Sequence, residues 1–191
     1  MKLKMTSQGR EVGKQKKAHR EEEGPFGVPL DYWPKERVRM SIRFSDGQPC
    51  LLSDEFYDAY PPDSYPEIES KRNRPHVMVL VQSDNGSWFA VPLRSNIRHR
   101  FCFKTVGNGG LDYTKAIPLL DDSFVDMDRK AMVRQSDWPI IQSDRRRIRV
   151  GMQNYIEQHK RAKKNPANKM YKNLIRFFTL QYFEDELGLN G

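Results

Sequence analysis

Cysteine is scarce: Cys50 and Cys102 are the only two in 191 residues, and they lack the close spacing of a metal knuckle or a redox motif. Both read as reduced small hydrophobes. Long apolar runs are also missing. Val77 to Val81 and Trp88 to Leu93 are typical of the longest, far short of the roughly 18 to 20 residues that cross a bilayer, so no membrane partner is expected. The N-terminus runs from basic to acidic without the apolar centre of about 7 to 15 residues that marks a secretory signal, and the expected location is the cytoplasm. His76, His99 and Cys102 come without a fourth ligand or a known zinc spacing. No metal and no cofactor is expected.

What is abundant is positive charge. Thirty-three Lys and Arg against 25 Asp and Glu give +8, which favours polyanionic partners such as nucleic acid. Ten of those cations and six of the acids precede Met40, so residues 1–39 carry +4 and the remainder carries only +4. A global excess therefore says little, and local clustering must carry the argument. The 37% hydrophobic content suits one modest core. The expected organisation is a single domain over residues 40–191 preceded by a disordered or loosely attached basic extension, 1–39, that ends in Gly24-Pro25-Phe26-Gly27-Val28-Pro29. Met40 opens the ordered-looking sequence, so 1–39 also reads as an upstream extension of a shorter chain.

Ser53 is a good N-cap with acids behind it, and Phe56, Tyr57 and Tyr60 share an apolar face before Pro61-Pro62 stops the helix. His76 to Val81 and Trp88 to Leu93 flank Ser83-Asp84-Asn85-Gly86, and an Asn-Gly between two apolar runs is a strong hairpin signal. Phe101 to Lys104 and Ala116 to Leu119 read as further strands, separated by the turn-rich Gly107-Asn108-Gly109-Gly110. The expected class is α+β, with a small antiparallel sheet curling into a barrel. After Pro139 the period becomes helical: Ile148, Met152, Tyr155, Ile156 and His159 share one face. Asn165-Pro166 predicts the N-cap and first residue of a last helix running to Gly188 with Met170, Leu174, Phe177, Phe178 and Gln181 on one side. Both helices should pack on the sheet.

Chemistry concentrates where the second hairpin strand ends. Arg94, Ser95, Asn96, Arg98, His99 and Arg100 fall within seven residues, a poor choice for a core and a good one for a phosphodiester. Metal-free RNA cleavage needs a base for the 2′-OH proton, donors for charge growing on phosphorus and an acid for the 5′ oxygen. A second basic cluster, Lys71-Arg72-Asn73-Arg74 with His76, precedes the first strand. Because an antiparallel hairpin returns to its start, Arg74, His76, Arg94 and Ser95 should converge at one sheet edge. Arg145, Arg146, Arg149, Lys160, Arg161, Lys163 and Lys164 belong to a stretch with eight cations against one acid, Glu157. It reads either as a solvated face with snorkelling stems or as a track for an RNA backbone.

The segments "KRNRPHVMVLV", "FAVPLRSNIRHRFCF" and "LDYTKAIPL", with the C-terminal helices, resemble the type III toxin-antitoxin ribonucleases of the ToxN/AbiQ family, and within it the TenpIN group. The resemblance covers roughly residues 40 to 185, and "PLRSNI" followed by His is its specific part. It implies a barrel related to the SH3-like MazF toxins, a sequence-selective endoribonuclease acting on mRNA, and products with 2′,3′-cyclic phosphate ends. It also implies inhibition by a small, structured, repeat-encoded RNA antitoxin in a hetero-oligomeric RNA–protein complex. Carried over by position, Ser95 matches the serine needed for activity. Arg94 replaces a neighbouring threonine, and Ile97 stands where ToxN-like members have lysine, with the cation displaced to Arg98. The implied site thus joins Ser95 with Arg94, Arg98 and His99, with Arg72, Arg74, His76, Asn96 and Arg100 holding RNA. A non-catalytic RNA-binding regulator is the alternative; a DNA-binding reading ranks last because no recognition helix stands out.

Overall fold

The computed structural model describes residues 44–68, 76–165, 167–168, 171 and 175–189. The expected extension 1–39, Arg72, Arg74, Pro166, Met170 and Leu174 lie outside the described residues. The strands are β1 (Pro49–Leu52), β2 (Met78–Gln82), β3 (Trp88–Arg94), β4 (Cys102–Lys104), β5 (Gly110–Asp112), β6 (Ile117–Pro118) and β7 (Val125–Asp126); the α-helices are α1 (Asp54–Ala59), α2 (Trp138–Ser143) and α3 (Arg145–Lys164). All strand pairings are antiparallel, in the order β4-β5-β3-β2-β1-β7, with β6 also on β3. The α+β class stands.

The expected closure into a barrel does not occur: β4 and β7 end the strand order, and no pairing joins them among the described residues. The side-chain alternation gives the reason. Val79, Val81, Phe89 and Val91 pack with Ile148, Met152, Tyr155 and Ile156 of α3, while Met78, Leu80, Trp88 and Ala90 pack with Phe56 and Tyr57 of α1 and with Phe183. Both faces of the central hairpin are covered, which is why its strands are apolar throughout instead of alternating. A sheet already buried on both sides gains no core by curling on itself, and edge strands of two and three residues offer few ladder bonds to close it.

Local signals explain the elements that match. Ser53 caps α1, its Oγ accepting from the Phe56 N–H at 3.2 Å. The hairpin turns at Gly86, φ 88°, with the Ser83 N–H donating to Ser87 O at 2.9 Å. Along α3, Ile148, Met152, Tyr155, Ile156 and His159 are all buried, as their shared face predicts. Gly151 costs this helix about 1 kcal/mol of propensity but makes room for Tyr113, whose hydroxyl donates to Ile148 O at 3.0 Å and would lie 2.4 Å from an added Cβ.

Other expectations need correction. Gly110 is not a turn residue but the first of β5, paired with Lys104 and Arg94. The helical period after Pro139 is divided between two helices: Pro139 sits in the first turn of the short α2, where its missing N–H costs nothing, and the long α3 starts past a break at Asp144. Asn165 is a C-cap, not an N-cap: its N–H donates to Ala162 O and its Nδ2 to Arg161 O, both consuming end carbonyls of α3. No helix runs through to Gly188. Ile175 and Arg176 are helical, but Phe178 is extended and a short 3-10 turn, Thr179–Tyr182, follows. Tertiary bonds override propensity there: Thr179 Oγ1 donates to Ala116 O at 2.6 Å, and Lys115 Nζ donates to Phe177 O at 3.3 Å. His159, in the face of α3, pairs through Nε2 with Glu184 Oε1 at 2.9 Å, and burial pushes its pKa down against the upward pull of that carboxylate. Among the described residues no helix is long and apolar enough to cross a membrane.

Candidate functional site

At the open end of the hairpin, Met78 faces Pro92 and the Leu93 N–H donates to Val77 O at 2.8 Å. That register places His76 opposite Arg94, as antiparallel geometry requires. Both line a shallow solvent-open cleft walled by Tyr57, Met78, Pro92 and Ile117. A Lys115–Glu67 ion pair, 2.5 Å, sits in the same wall.

Beyond Arg94 the chain turns sharply through Asn96, φ 61°, a left-handed conformation that asparagine tolerates better than most residues. Ile97 then dives inward. It is buried, its N–H donates to Asn108 O at 2.8 Å, and its carbonyl accepts from Lys104 Nζ at 2.6 Å. This single apolar anchor leaves Ser95, Asn96, Arg98, His99 and Arg100 exposed around it. Position 97 is therefore a structural pin, and the neighbouring cation, Arg98, is the one turned to solvent, with Nε 3.4 Å from Asn96 Oδ1. Lys104, which the sequence suggested only as part of a strand, brings a further ammonium to the loop. Arg100 lies 5.0 Å over the Phe101 ring.

Asp112, absent from the sequence-derived set, joins this cluster. Its carboxylate is 1% exposed; Oδ2 accepts from Arg94 Nη1 at 3.0 Å, and Oδ1 accepts from Thr114 N–H at 3.0 Å and Thr114 Oγ1 at 2.6 Å. His99 Nε2 lies 3.4 Å from Oδ1. A buried carboxylate is tolerable only with such partners. The signal that could have found it is an Asp inside an apolar strand with Thr two residues on, the pattern of a side chain capping its own turn. Cys102 borders the cluster, its Sγ donating to His99 O at 3.3 Å, and burial raises its pKa, so it is not poised as a thiolate. Among the described residues no three His, Cys, Asp or Glu side chains converge as a metal ligand set.

The cations of α3 fall into two places. Near its start, Arg145 Nη1 donates to Asp46 O at 3.4 Å, and Arg147, paired with Asp144 at 3.1 Å, lies 5.9 Å over the Phe103 ring of β4; Arg146 and Arg149 are exposed. Toward its end, Lys160 pairs with Glu157 at 3.0 Å and Lys163 with Glu184 at 2.5 Å, while Arg161 and Lys164 are exposed. Lys160 shares a small cavity with Asn85 and Phe89 at the turn end of the hairpin. The length of β3, about 20 Å at 3.3 Å per residue, separates Lys160 from the Arg94 loop. The cations at the end of α3 therefore lie away from the loop, whereas Arg147 near its start reaches β4, the strand that leaves the loop.

No family profile and no curated protein matches the sequence. The fold is shared with a solved structure, that of AbiQ, a lactococcal anti-phage endoribonuclease belonging to the type III toxin-antitoxin system. The two agree with a TM-score of 0.53 at 16% sequence identity, over 77% of this chain and 100% of AbiQ.

Proposed function

We propose that this chain is an endoribonuclease toxin of the type III toxin-antitoxin kind, cutting RNA without a metal ion in the cytoplasm. The observation that carries the reading is the cluster at the open end of the hairpin, where Ser95, Arg98 and His99 stand exposed beside Arg94 and His76, on a fold shared with an endoribonuclease toxin. In this reading His99 takes the 2′-OH proton, O2′ attacks phosphorus, the P–O5′ bond breaks and the 5′ oxygen is protonated, leaving a 2′,3′-cyclic phosphate. Ser95 and Arg98 donate to the charge that grows on the phosphorane. Arg94 contributes its positive charge from behind, since one edge of its guanidinium is taken by Asp112. Arg72, Arg74, His76, Asn96, Arg100 and Lys104 position the strand, and the cations of α3 extend the contact along the backbone. The partners are an mRNA substrate and a small structured RNA antitoxin in a hetero-oligomeric complex. Affinity to the TenpIN group rests on the sequence segments alone.

The deciding experiment incubates the full-length protein with total RNA in EDTA and maps the ends produced. Cyclic phosphate ends in EDTA support the reading. Cleavage that disappears in EDTA overturns the metal-free mechanism, and tight binding with no cleavage under any condition leaves the non-catalytic regulator as the better account.

A further inference from the structure

We propose that Asp112 is a positioning residue of this site, a buried carboxylate whose two oxygens hold Arg94 and His99 in working orientation. The catalytic part of this inference rests on the ribonuclease reading above; the orientation of the ring does not. Thr114 fixes the carboxylate locally, through both its N–H and its hydroxyl on Oδ1. The side chain is thus set before it meets the site, and it faces Arg94 from the end of β3 and His99 from the loop that follows. A negative charge 3.4 Å from His99 Nε2 favours the tautomer with the proton on Nε2 and leaves Nδ1 as the bare acceptor. That nitrogen can then take the O2′ proton as the O2′–P bond forms and P–O5′ breaks, the 5′ oxygen gaining its proton from water. The imidazolium so formed lies beside the Asp112 carboxylate. A His whose ring orientation depends on an exposed loop alone would sample both tautomers; a carboxylate anchored by its own turn removes that freedom.

Two measurements test this. In the full-length protein with ¹⁵N-labelled histidine at pH 8, His99, assigned against His99→Gln, should have Nε2 protonated and Nδ1 bare. The opposite tautomer, or an even mixture, overturns the proposal whether or not the protein cuts RNA, and it decides the matter if Asp112 variants fail to fold. In cleavage assays Asp112→Asn should lower kcat about 100-fold or more while KM for RNA changes less than about 3-fold. In a His99→Gln background the same change should cost about 10-fold or less, because the two residues act as a unit. Wild-type kcat in a folded Asp112→Asn protein, or loss of kcat only in proportion to the unfolded fraction, overturns the role. Wild-type protein that cuts no RNA refutes the ribonuclease reading and leaves the tautomer measurement to judge Asp112 by itself.

Discussion

The β2–β3 hairpin has a closed end and an open end, and they are held in different ways. At the closed end the Ser83 hydroxyl has two acceptors within reach, Asn85 Oδ1 at 2.6 Å and Ser87 O at 2.9 Å, and the Ser83 N–H donates to Ser87 O. These partners lie within four residues; a long-range bond of the turn runs from the Asp84 N–H to Gln153 Oε1 of α3 at 3.3 Å, on the exposed surface. At the open end Arg94 reaches Asp112, eighteen residues on, and the Ile97 N–H reaches Asn108 O. Local turn chemistry dominates the first end, but the second is complete only when β4 and β5 have docked. The chemistry of the loop is therefore tied to the integrity of the sheet edge, whereas the turn is not.

Removing the hydroxyl of Ser95 probes the open end most sharply. Ser95→Ala should slow cleavage about 100 to 1,000-fold, roughly 3 to 4 kcal/mol in the barrier, with the melting midpoint moved by less than about 2 °C, since the side chain is exposed. Near wild-type cleavage together with a stability loss of about 1 kcal/mol would reassign Ser95 as a loop cap. Glycine gives a matched pair of tests on the two ends. At Gly110, φ 155°, an added Cβ would lie 2.0 Å from Phe103 O, so Gly110→Ala should separate β4 from β5. The expected loss is on the order of 3 kcal/mol by urea unfolding, with cleavage impaired even in the folded fraction.

Smaller effects belong to the surface and to the closed end. Replacing Arg145, Arg146 and Arg149 with Gln should flatten the slope of log affinity against log salt by about 2, at roughly 0.7 per phosphate for a single strand. An unchanged slope would remove the start of α3 from the RNA footprint. Gly86, φ 88°, has open space around its Cβ position, so Gly86→Ala should cost only about 1 kcal/mol, the strain of a left-handed alanine. Cleavage should be unchanged once the protein is folded. If Gly86→Ala impaired cleavage as much as Gly110→Ala, the distinction between the two ends would fail.

How much of this was legible in the sequence follows the same division. The cap at Ser53, the Asn85-Gly86 turn and the buried face from Ile148 to His159 were readable because each depends on residues within a turn or two of one another. The convergence of His76 with Arg94 was readable too, because antiparallel return follows from the turn. Asp112 was not, since its partners Arg94 and His99 come from another strand end and the loop after it, and its own segment entered only as part of "LDYTKAIPL". Nor was the reversal at Asn165: asparagine caps either end of a helix through the same side chain, and only the carbonyls of Arg161 and Ala162 decide which.

By itself the sequence determined the class of elements, the hairpin and its open edge, and the crowding of Arg, Ser and His at one strand end. Only the tertiary structure decided that the sheet stays open, because covering both of its faces, with α3 on one and α1 with Phe183 on the other, removes the gain from closure. It alone ended the last helix at Phe178, where bonds from Thr179 and Lys115 to distant carbonyls outweigh the few tenths of a kcal/mol per residue that propensity offers. And it alone brought the Asp112 carboxylate beneath Arg94 and His99, a contact between segments that no local pattern encodes.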